Sequence, residues 1–396
     1  MRYAGCVRAL EHIGPAVQRI AVWNGERFSG NREWLVERRS FDSALKEDAH
    51  EAKITVITGR AERFERQHLH WRIPWVSRQD GQDAWKAAFL IDARGRAAHH
   101  GRDSVRRGPL TIALGQLWTT VPGEPGTQVA SFPEGWAWFA RDAAGTALLQ
   151  LIISSATDSV PPRGALTEHY RSLLTKVVAA QDWLKNAHPL GEVFARYAHP
   201  QFNPKLLRQG YARVGDAAFA IDPLSGHGVY EAIGGGLALA ATINTMLTRP
   251  EDTAIAERFY RERVEDDFLR MARIGRDFYR LEQRWPEQSF WRERSGWPDD
   301  EPAHAAPNTE PTRVEFRPVN VEGFITQREV IVTADHPRGI WQVEGVPLVG
   351  LWRELQARRE EQPQIAVLNY AAREGLSPKQ CDSALAWLTT RRLIGE

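Results

Sequence analysis

The stretch VGDAAFAIDPLSGHGVYEAIGGG, Val214 to Gly236, puts an acidic residue straight after a glycine at the end of an apolar run. A proline and two closely spaced glycines then open a long run of small residues. The pattern predicts a short buried strand over Tyr211–Val214 and a helix over Ser225–Met246. Between them, Gly215 lets the backbone turn close without a Cβ clash. Asp216 falls at the carboxyl end of the strand, where open α/β folds bind their ligands, and can accept hydrogen bonds from ligand hydroxyls. Pro223 stiffens the approach, and Gly226 and Gly228 leave the main chain open to a flat ligand. The helix that follows presents unpaired N–H groups and the positive end of its dipole. Glycine costs about 1 kcal/mol in a helix interior, so Gly234, Gly235 and Gly236 in succession call for a close neighbour. A tightly packed helix with no ligand would share part of this pattern. The conjunction of Gly215-Asp216, Asp222-Pro223 and Gly226-x-Gly228 favours a bound ligand.

The bulk composition narrows the class of protein. The 396 residues are 42% hydrophobic and 26% charged, with a net charge of +1. That balance argues against a general electrostatic grip on nucleic acid or anionic membrane. Cys6 and Cys381 lie at opposite ends of the chain and give neither a disulfide framework nor a metal-binding spacing. Such usage suits a reducing compartment, so a cytoplasmic location is expected. Met1 to Gly30 shows no apolar core followed by a cleavage site, and the longest apolar stretch, Leu237–Leu247, is too short to span a bilayer. The fifteen tryptophans are expected chiefly in cores and interfaces.

Outward from the bend, Ser40 is a candidate N-cap for a helix carrying Phe41, Leu45 and Ala49. KITVIT, Lys53 to Thr58, alternates like a strand. Further strands are expected at Ala87–Asp92, Leu110–Leu117, Gly135–Ala140 and Ala147–Ile153, and helical periodicity runs from Ala165 to Leu184. Ala254–Leu281 predicts one long amphipathic helix, and the acidic, proline-rich Trp297–Thr312 a linker. Two short helices around Gly375-Leu376-Ser377-Pro378 give a helix-turn-helix shape near the end.

The bend resembles the second flavin-binding motif of the FAD-dependent aromatic monooxygenase and tryptophan halogenase superfamily. Two further segments agree: WLVERRSFDSAL, Trp34 to Leu45, and AAFLIDARGRAAHHG, Ala87 to Gly101. GWAWFARD, Gly135 to Asp142, is similar to the tryptophan-rich strand on the family's substrate side. The resemblance implies an α/β (α+β) architecture: a Rossmann-like FAD-binding domain truncated at its N-terminus, an inserted β-sheet substrate domain and a small helical C-terminal unit. It divides the chain into FAD-binding segments 1–62, 88–108 and 205–250 and a substrate sheet of 63–87 and 109–204. A long helix and aromatic segment over 251–300 and a helix-turn-helix-like unit over 313–396 complete it. It also implies that Asp216 holds the ribityl chain, that Pro223, Gly226 and Gly228 line the ring, and that Gly215 and Arg38 belong to the cofactor-binding set. The family's Gly-x-Gly-x-x-Gly loop does not occur before Arg38, and RALEHIGPAV is similar to the helix and turn that follow that loop. Either the loop lies upstream of Met1, the favoured expectation, or the domain has lost its phosphate grip, and without the loop FAD binding should be weak.

The implied chemistry is oxygen transfer from a flavin C4a-hydroperoxide to an electron-rich arene, with FAD, O2 and either NAD(P)H or a separate flavin reductase as electron source. Halogenation of tryptophan or indole is the alternative, and a non-catalytic flavin-fold scaffold a third reading. Ser225-Gly226-His227-Gly228 lies closer to the hydroxylases, since the halogenases usually show a serine pair there. GRDFYRLEQRWPEQSFWRER, Gly275 to Arg294, and the C-terminal unit resemble flavoproteins that hydroxylate a peptidyl tryptophan during tryptophylquinone cofactor biogenesis, among them those serving quinohemoprotein amine dehydrogenase. That narrower resemblance implies a protein substrate containing the target tryptophan.

His227, between two glycines, is a candidate catalytic donor, although a histidine so placed more often caps backbone groups. His68 and His70 alternate in HLHWRIPW but lack a third ligand, so no metal site is expected, and these side chains should pack or line the substrate face. Lys379 and Arg391 could in principle meet DNA. The second helix carries Asp382 and apolar residues rather than a basic reading face, which favours protein docking instead.

Overall fold

The computed structural model describes residues 1, 4–77, 81–98, 105–155, 161–306, 311–358 and 362–394. His99 to Gly101, at the end of one motif quoted above, lie outside them. The chain divides into two units, residues 1–236 with 267–301, and residues 237–266 with 302–396.

The first unit is built on a seven-stranded sheet. Its strands are β1 (Ile13–Trp23) and β2 (Glu26–Val36), with β3 (Thr111–Thr119), β4 (Gly126–Phe132), β5 (Gly135–Arg141), β6 (Thr146–Ser154) and β7 (His188–Tyr197), in the order β7-β3-β6-β5-β4-β1-β2. Only β1 and β4 run parallel, with Arg19 opposite Thr127 and Ala21 opposite Val129. β1 and β2 form a hairpin about Asn24 and Gly25, whose φ values of 52° and 81° match the twist of the flanking strands. Residues 1–62, expected with the FAD-binding part, thus place two strands in the sheet whose other five were expected as substrate domain. RALEHIGPAV is a short helix, Val7–Glu11, running directly into β1.

One face of the sheet buries Leu114, Phe139, Leu149 and Leu151 against Tyr170 and Leu173 of a helix over Leu166–Leu174. The expected helix over Ala165–Leu184 is broken, resuming at Ala180–Leu184. The Tyr170 hydroxyl donates to the Leu149 carbonyl at 3.1 Å, so Tyr170→Phe should lower stability by about 1 kcal/mol. A urea titration that gives a lower midpoint with unchanged slope would register this loss. The opposite face buries Ala21, Trp23, Val129 and Trp136 against Leu224, Tyr279, Phe290 and Trp291. The bend of Val214–Gly236 is therefore pressed onto that face.

Two local expectations are corrected. The helix after β2, Arg38–Glu51, is capped by Glu37, whose carboxylate accepts from the Arg39 and Ser40 N–H groups, and not by Ser40. Lys53–Thr58 is irregular, with Ile54 58% exposed; among the described residues no strand pairs with it, and alternation without a partner does not make a strand. The long helix is confirmed as Thr253–Arg280, 28 residues.

In the second unit, Arg313–Val321, Phe324–Thr333 and His336–Ile340 form an antiparallel sheet. Three helices, Leu348–Ala357, Pro363–Glu374 and Pro378–Thr390, share a core of Leu348, Leu351, Tyr370, Cys381 and Leu388. The last two are the expected pair, with Gly375 left-handed between them (φ 68°) and a capping box at Ser377. Arg391 is held by Asp335 at 2.8 Å and lies over the Trp387 ring. No described helix is long and apolar enough to cross a membrane.

Candidate functional site

Tyr211–Arg213 runs parallel to Leu90–Asp92, and the Val214 N–H continues the ladder to the Asp92 carbonyl at 3.2 Å. The chain then turns at Gly215, whose φ of +58° is costly for a side-chain-bearing residue. Asp216 follows, and its carboxylate, 43% exposed, lies 3.4 Å from Arg96 Nε. Burial pushes the Asp216 carboxyl up from the ordinary range, against the pull of Arg96 and Arg38. Three separate segments thus bring the charges of Arg38, Arg96 and Asp216 within each other's influence. Arg38 also holds Asp42 through two contacts of 3.2 Å. Beside this cluster, burial lowers His199 to about 4, with Arg96 and Arg107 adding to the effect.

The second half of the bend hangs on Asp222. Its carboxylate is buried; it accepts from the Leu224 N–H at 2.9 Å and from the Tyr279 hydroxyl, which is 3.1 Å from each oxygen. Trp136 Nε1 donates to that same hydroxyl at 3.0 Å, so strand β5 and the long helix are tied to the turn through one phenol. A 3-10 turn over Pro223–Ser225 ends at Gly226 with φ +67°, a left-handed cap that glycine adopts without strain. The helix expected from Ser225 begins at Gly228 and runs to Thr248. A Cβ at Gly228 would meet nothing within 4 Å, and one at Gly235 would touch Val214 at 3.8 Å. The glycine run therefore packs on the strand end through Gly235, while the first turn stays open. A shallow, open recess is lined by Gly215, Asp216, Ile221, Gly228, Glu231 and Ala232.

FAD fits this donor set at its ribityl and ring end. The recess has no side chain at Gly215 or Gly228, and Asp216 offers a partly exposed carboxylate to hydroxyl groups. The N-terminus of the following helix faces the same recess. His227 is exposed, and its Nδ1 contacts the Ser225 carbonyl, the backbone-capping position rather than one aimed into the recess. Among the described residues no cluster of three or more histidine, cysteine or acidic side chains forms. Trp71 packs in the small sheet containing His70–Ser77 and donates to the Gly210 carbonyl at 2.6 Å.

A charged pair that the sequence did not single out closes the bend from the sheet side. Arg19 Nη1 is 3.0 Å from Glu33 Oε1, and Arg19 Nη2 donates to the Leu224 carbonyl at 3.1 Å. Glu33 Oε1 is 3.6 Å from where a Gly226 Cβ would stand. Trp138 and Gln150 lie directly opposite one another in adjoining strands, and Trp138 packs on the cluster that holds Leu224.

No protein-family profile matches the chain. A solved structure, the peptidyl tryptophan dihydroxylase QhpG essential for tryptophylquinone cofactor biogenesis, superimposes with a TM-score of 0.78 at 36% identity, covering 98% of this chain and 87% of that one. The flavin-dependent halogenase CmlS shares the fold at a TM-score of 0.72 and 15% identity. Among curated proteins, the tryptophan 2-halogenase of Chondromyces crocatus is 27% identical over 68% of this chain and 56% of its own length. The putative FAD-dependent oxidoreductase LodB of Marinomonas mediterranea is 25% identical over 66% of this chain and 71% of its own length. The match thus spans little more than half the length of the tryptophan 2-halogenase. These similarities place the chain among flavoprotein oxidoreductases of the monooxygenase and halogenase type. Within that class, the chain belongs to the family of the peptidyl tryptophan dihydroxylase.

Proposed function

We propose that this protein is an FAD-dependent monooxygenase that hydroxylates a tryptophan side chain carried in a protein substrate, as part of quinone cofactor biogenesis. The observation that carries the reading is 36% identity with a peptidyl tryptophan dihydroxylase over 98% of the chain. Bound FAD supplies the two electrons that activate dioxygen, drawn from NAD(P)H or from a separate flavin reductase. Asp216 takes the ribityl hydroxyls, with Arg96 3.4 Å from its carboxylate. Gly215, Pro223, Gly226 and Gly228 give the ring a flat main-chain wall, and the N-terminus of the Gly228–Thr248 helix meets its polar edge. Trp136 and Trp138 stand on the sheet face that meets the bend and close the substrate side to water. With Nδ1 donating to the Ser225 carbonyl, the neutral His227 ring presents Nε2 as an acceptor, and it could donate there only as the imidazolium. Cys6 and Cys381 are both free thiols, which supports a reducing, cytoplasmic setting.

Halogenation is the competing reading, supported by the 27% identity to a tryptophan 2-halogenase. One incubation separates them: FAD, a flavin reductase with NADH, oxygen, bromide and a tryptophan-containing peptide, followed by mass spectrometry. Hydroxylation predicts a gain of one or two oxygen atoms on the tryptophan. Bromine on the ring would overturn it.

A further inference from the structure

We propose that Glu33, held against the bend by Arg19, is the base that takes the ring proton released when the indole is hydroxylated. This rests on the hydroxylase reading above. In each hydroxylation a ring carbon gains a bond to one atom of O2 and loses its hydrogen as a proton. The other oxygen atom leaves as water, using two electrons from the nicotinamide reductant by way of the flavin. The proton from carbon needs an acceptor beside the ring.

Several acidic and basic groups surround the bend, and Glu33 stands on its sheet side. The Asp222 carboxylate is buried and already accepts from Tyr279 and Leu224. Asp216 is assigned to the ribityl hydroxyls, Glu231 lines the recess from the first turn of the helix, and His227 lies exposed with Nδ1 on the Ser225 carbonyl. Glu33 reaches the bend from the sheet side, with Oε1 3.6 Å from the Cβ position of Gly226. Its side chain is 21% exposed and that of Arg19 14%, so the pair is partly shielded yet open to a ligand. Because Arg19 also donates to the Leu224 carbonyl at 3.1 Å, the carboxylate is fixed relative to the bend rather than free to swing.

The wall continues along the sheet. Thr127, opposite Arg19 in the adjoining strand, has a buried hydroxyl with no partner among the described residues. An ion-paired carboxylate is a weak base, but the cationic ring formed on oxygen transfer is a strong acid and yields its proton readily. The same negative charge favours the positive charge developing on the indole.

The test compares the native protein with Glu33→Gln and Glu33→Ala, each loaded with FAD and given a tryptophan-containing peptide, ring-protiated or ring-deuterated. FAD affinity is read from quenching of flavin fluorescence, and peptide affinity from the anisotropy of a labelled peptide. The expected result is unchanged affinity for both ligands and a loss of hydroxylated product of about 100-fold. A normal deuterium isotope effect should appear in Glu33→Gln that the native protein lacks, and formate should partly restore Glu33→Ala. Native protein active with Glu33→Gln equally active overturns this inference alone, as does a loss of FAD affinity that accounts for the lost activity. Native protein that hydroxylates no tryptophan peptide overturns the hydroxylase reading and this inference with it.

Discussion

Gly228→Val leaves the fold intact and sharply weakens flavin binding. The position is the first residue of the Gly228–Thr248 helix, and a Cβ there meets nothing within 4 Å. The backbone carries no left-handed strain at this residue, because Gly228 is absent from the positive-φ glycines. Valine should therefore change stability by no more than about 0.5 kcal/mol, the usual range for a surface substitution. The space its methyl groups enter is the recess beside Asp216 and Ala232. A flat ring lying on the main chain has no room for them, and overpacking a fitted contact costs about 1–3 kcal/mol or more. FAD affinity should fall at least about 100-fold, the equivalent of about 2.7 kcal/mol. Gly228→Ala, with one methyl group, should fall between the two. Thermal melts report the fold and fluorescence quenching reports the cofactor, so the two effects are read separately. A valine variant that binds FAD as tightly as the native protein would show that the ring does not lie against this bend, and the roles given to Asp216, Gly226 and Gly228 would go with it.

The bend was legible because its residue types act on their own backbone. A glycine that must take positive φ, an aspartate after a strand end and a proline opening a turn each state a local geometry, and Gly215 and Gly226 do adopt it. What the sequence concealed depends on partners. Lys53–Thr58 has the alternation of a strand, yet pairing decides strand formation, and no described strand lies beside it. Ser40 has the side chain of an N-cap, but Glu37 is long enough to reach the same N–H groups from outside the helix. The hairpin of β1 and β2 carried a readable signal, Asn24-Gly25 between two extended runs, which places Arg19 and Glu33 on neighbouring strands. Their meeting at the bend was not readable. It depends on an irregular register between Gln18 and Ile20, and on the sheet packing against Leu224. The role of Tyr279 was hidden for the same reason, since it joins residues 57 and 143 positions away.

Asp222→Ala is the substitution expected to cost most in stability, about 3–5 kcal/mol. The carboxylate is buried among Tyr279, the Leu224 N–H and, further off, Arg294, whose guanidinium is itself buried. Removing one partner of a buried charge set leaves the other uncompensated, which is where costs of this size arise. The Tyr279 hydroxyl and the Leu224 N–H lose their acceptor at the same time, at about 1–3 kcal/mol for each buried group left unpaired. Tyr279→Phe removes a single donor and should cost less than Asp222→Ala, and in the double variant the two losses should fall short of additivity because they share one contact. The sign of the pH dependence follows from burial. It raises the Asp222 carboxyl above its ordinary value despite the Leu224 N–H, Arg294 and Tyr279. The folded state therefore binds this proton more tightly than the unfolded chain does. Its stabilising contribution is complete below the ordinary carboxylate range and is lost as pH rises through the raised folded value. Asp222→Asn keeps an acceptor for Leu224 and Tyr279 without the charge, so the stability gap between it and the native protein should shift in favour of asparagine as pH rises through that window. Denaturant titrations of the native protein and these variants at several pH values measure all of this. A loss below about 1 kcal/mol for Asp222→Ala, the size of a single ordinary hydrogen bond, would mean that the bend is held by Arg19 and the packing of Leu224 rather than by its buried carboxylate.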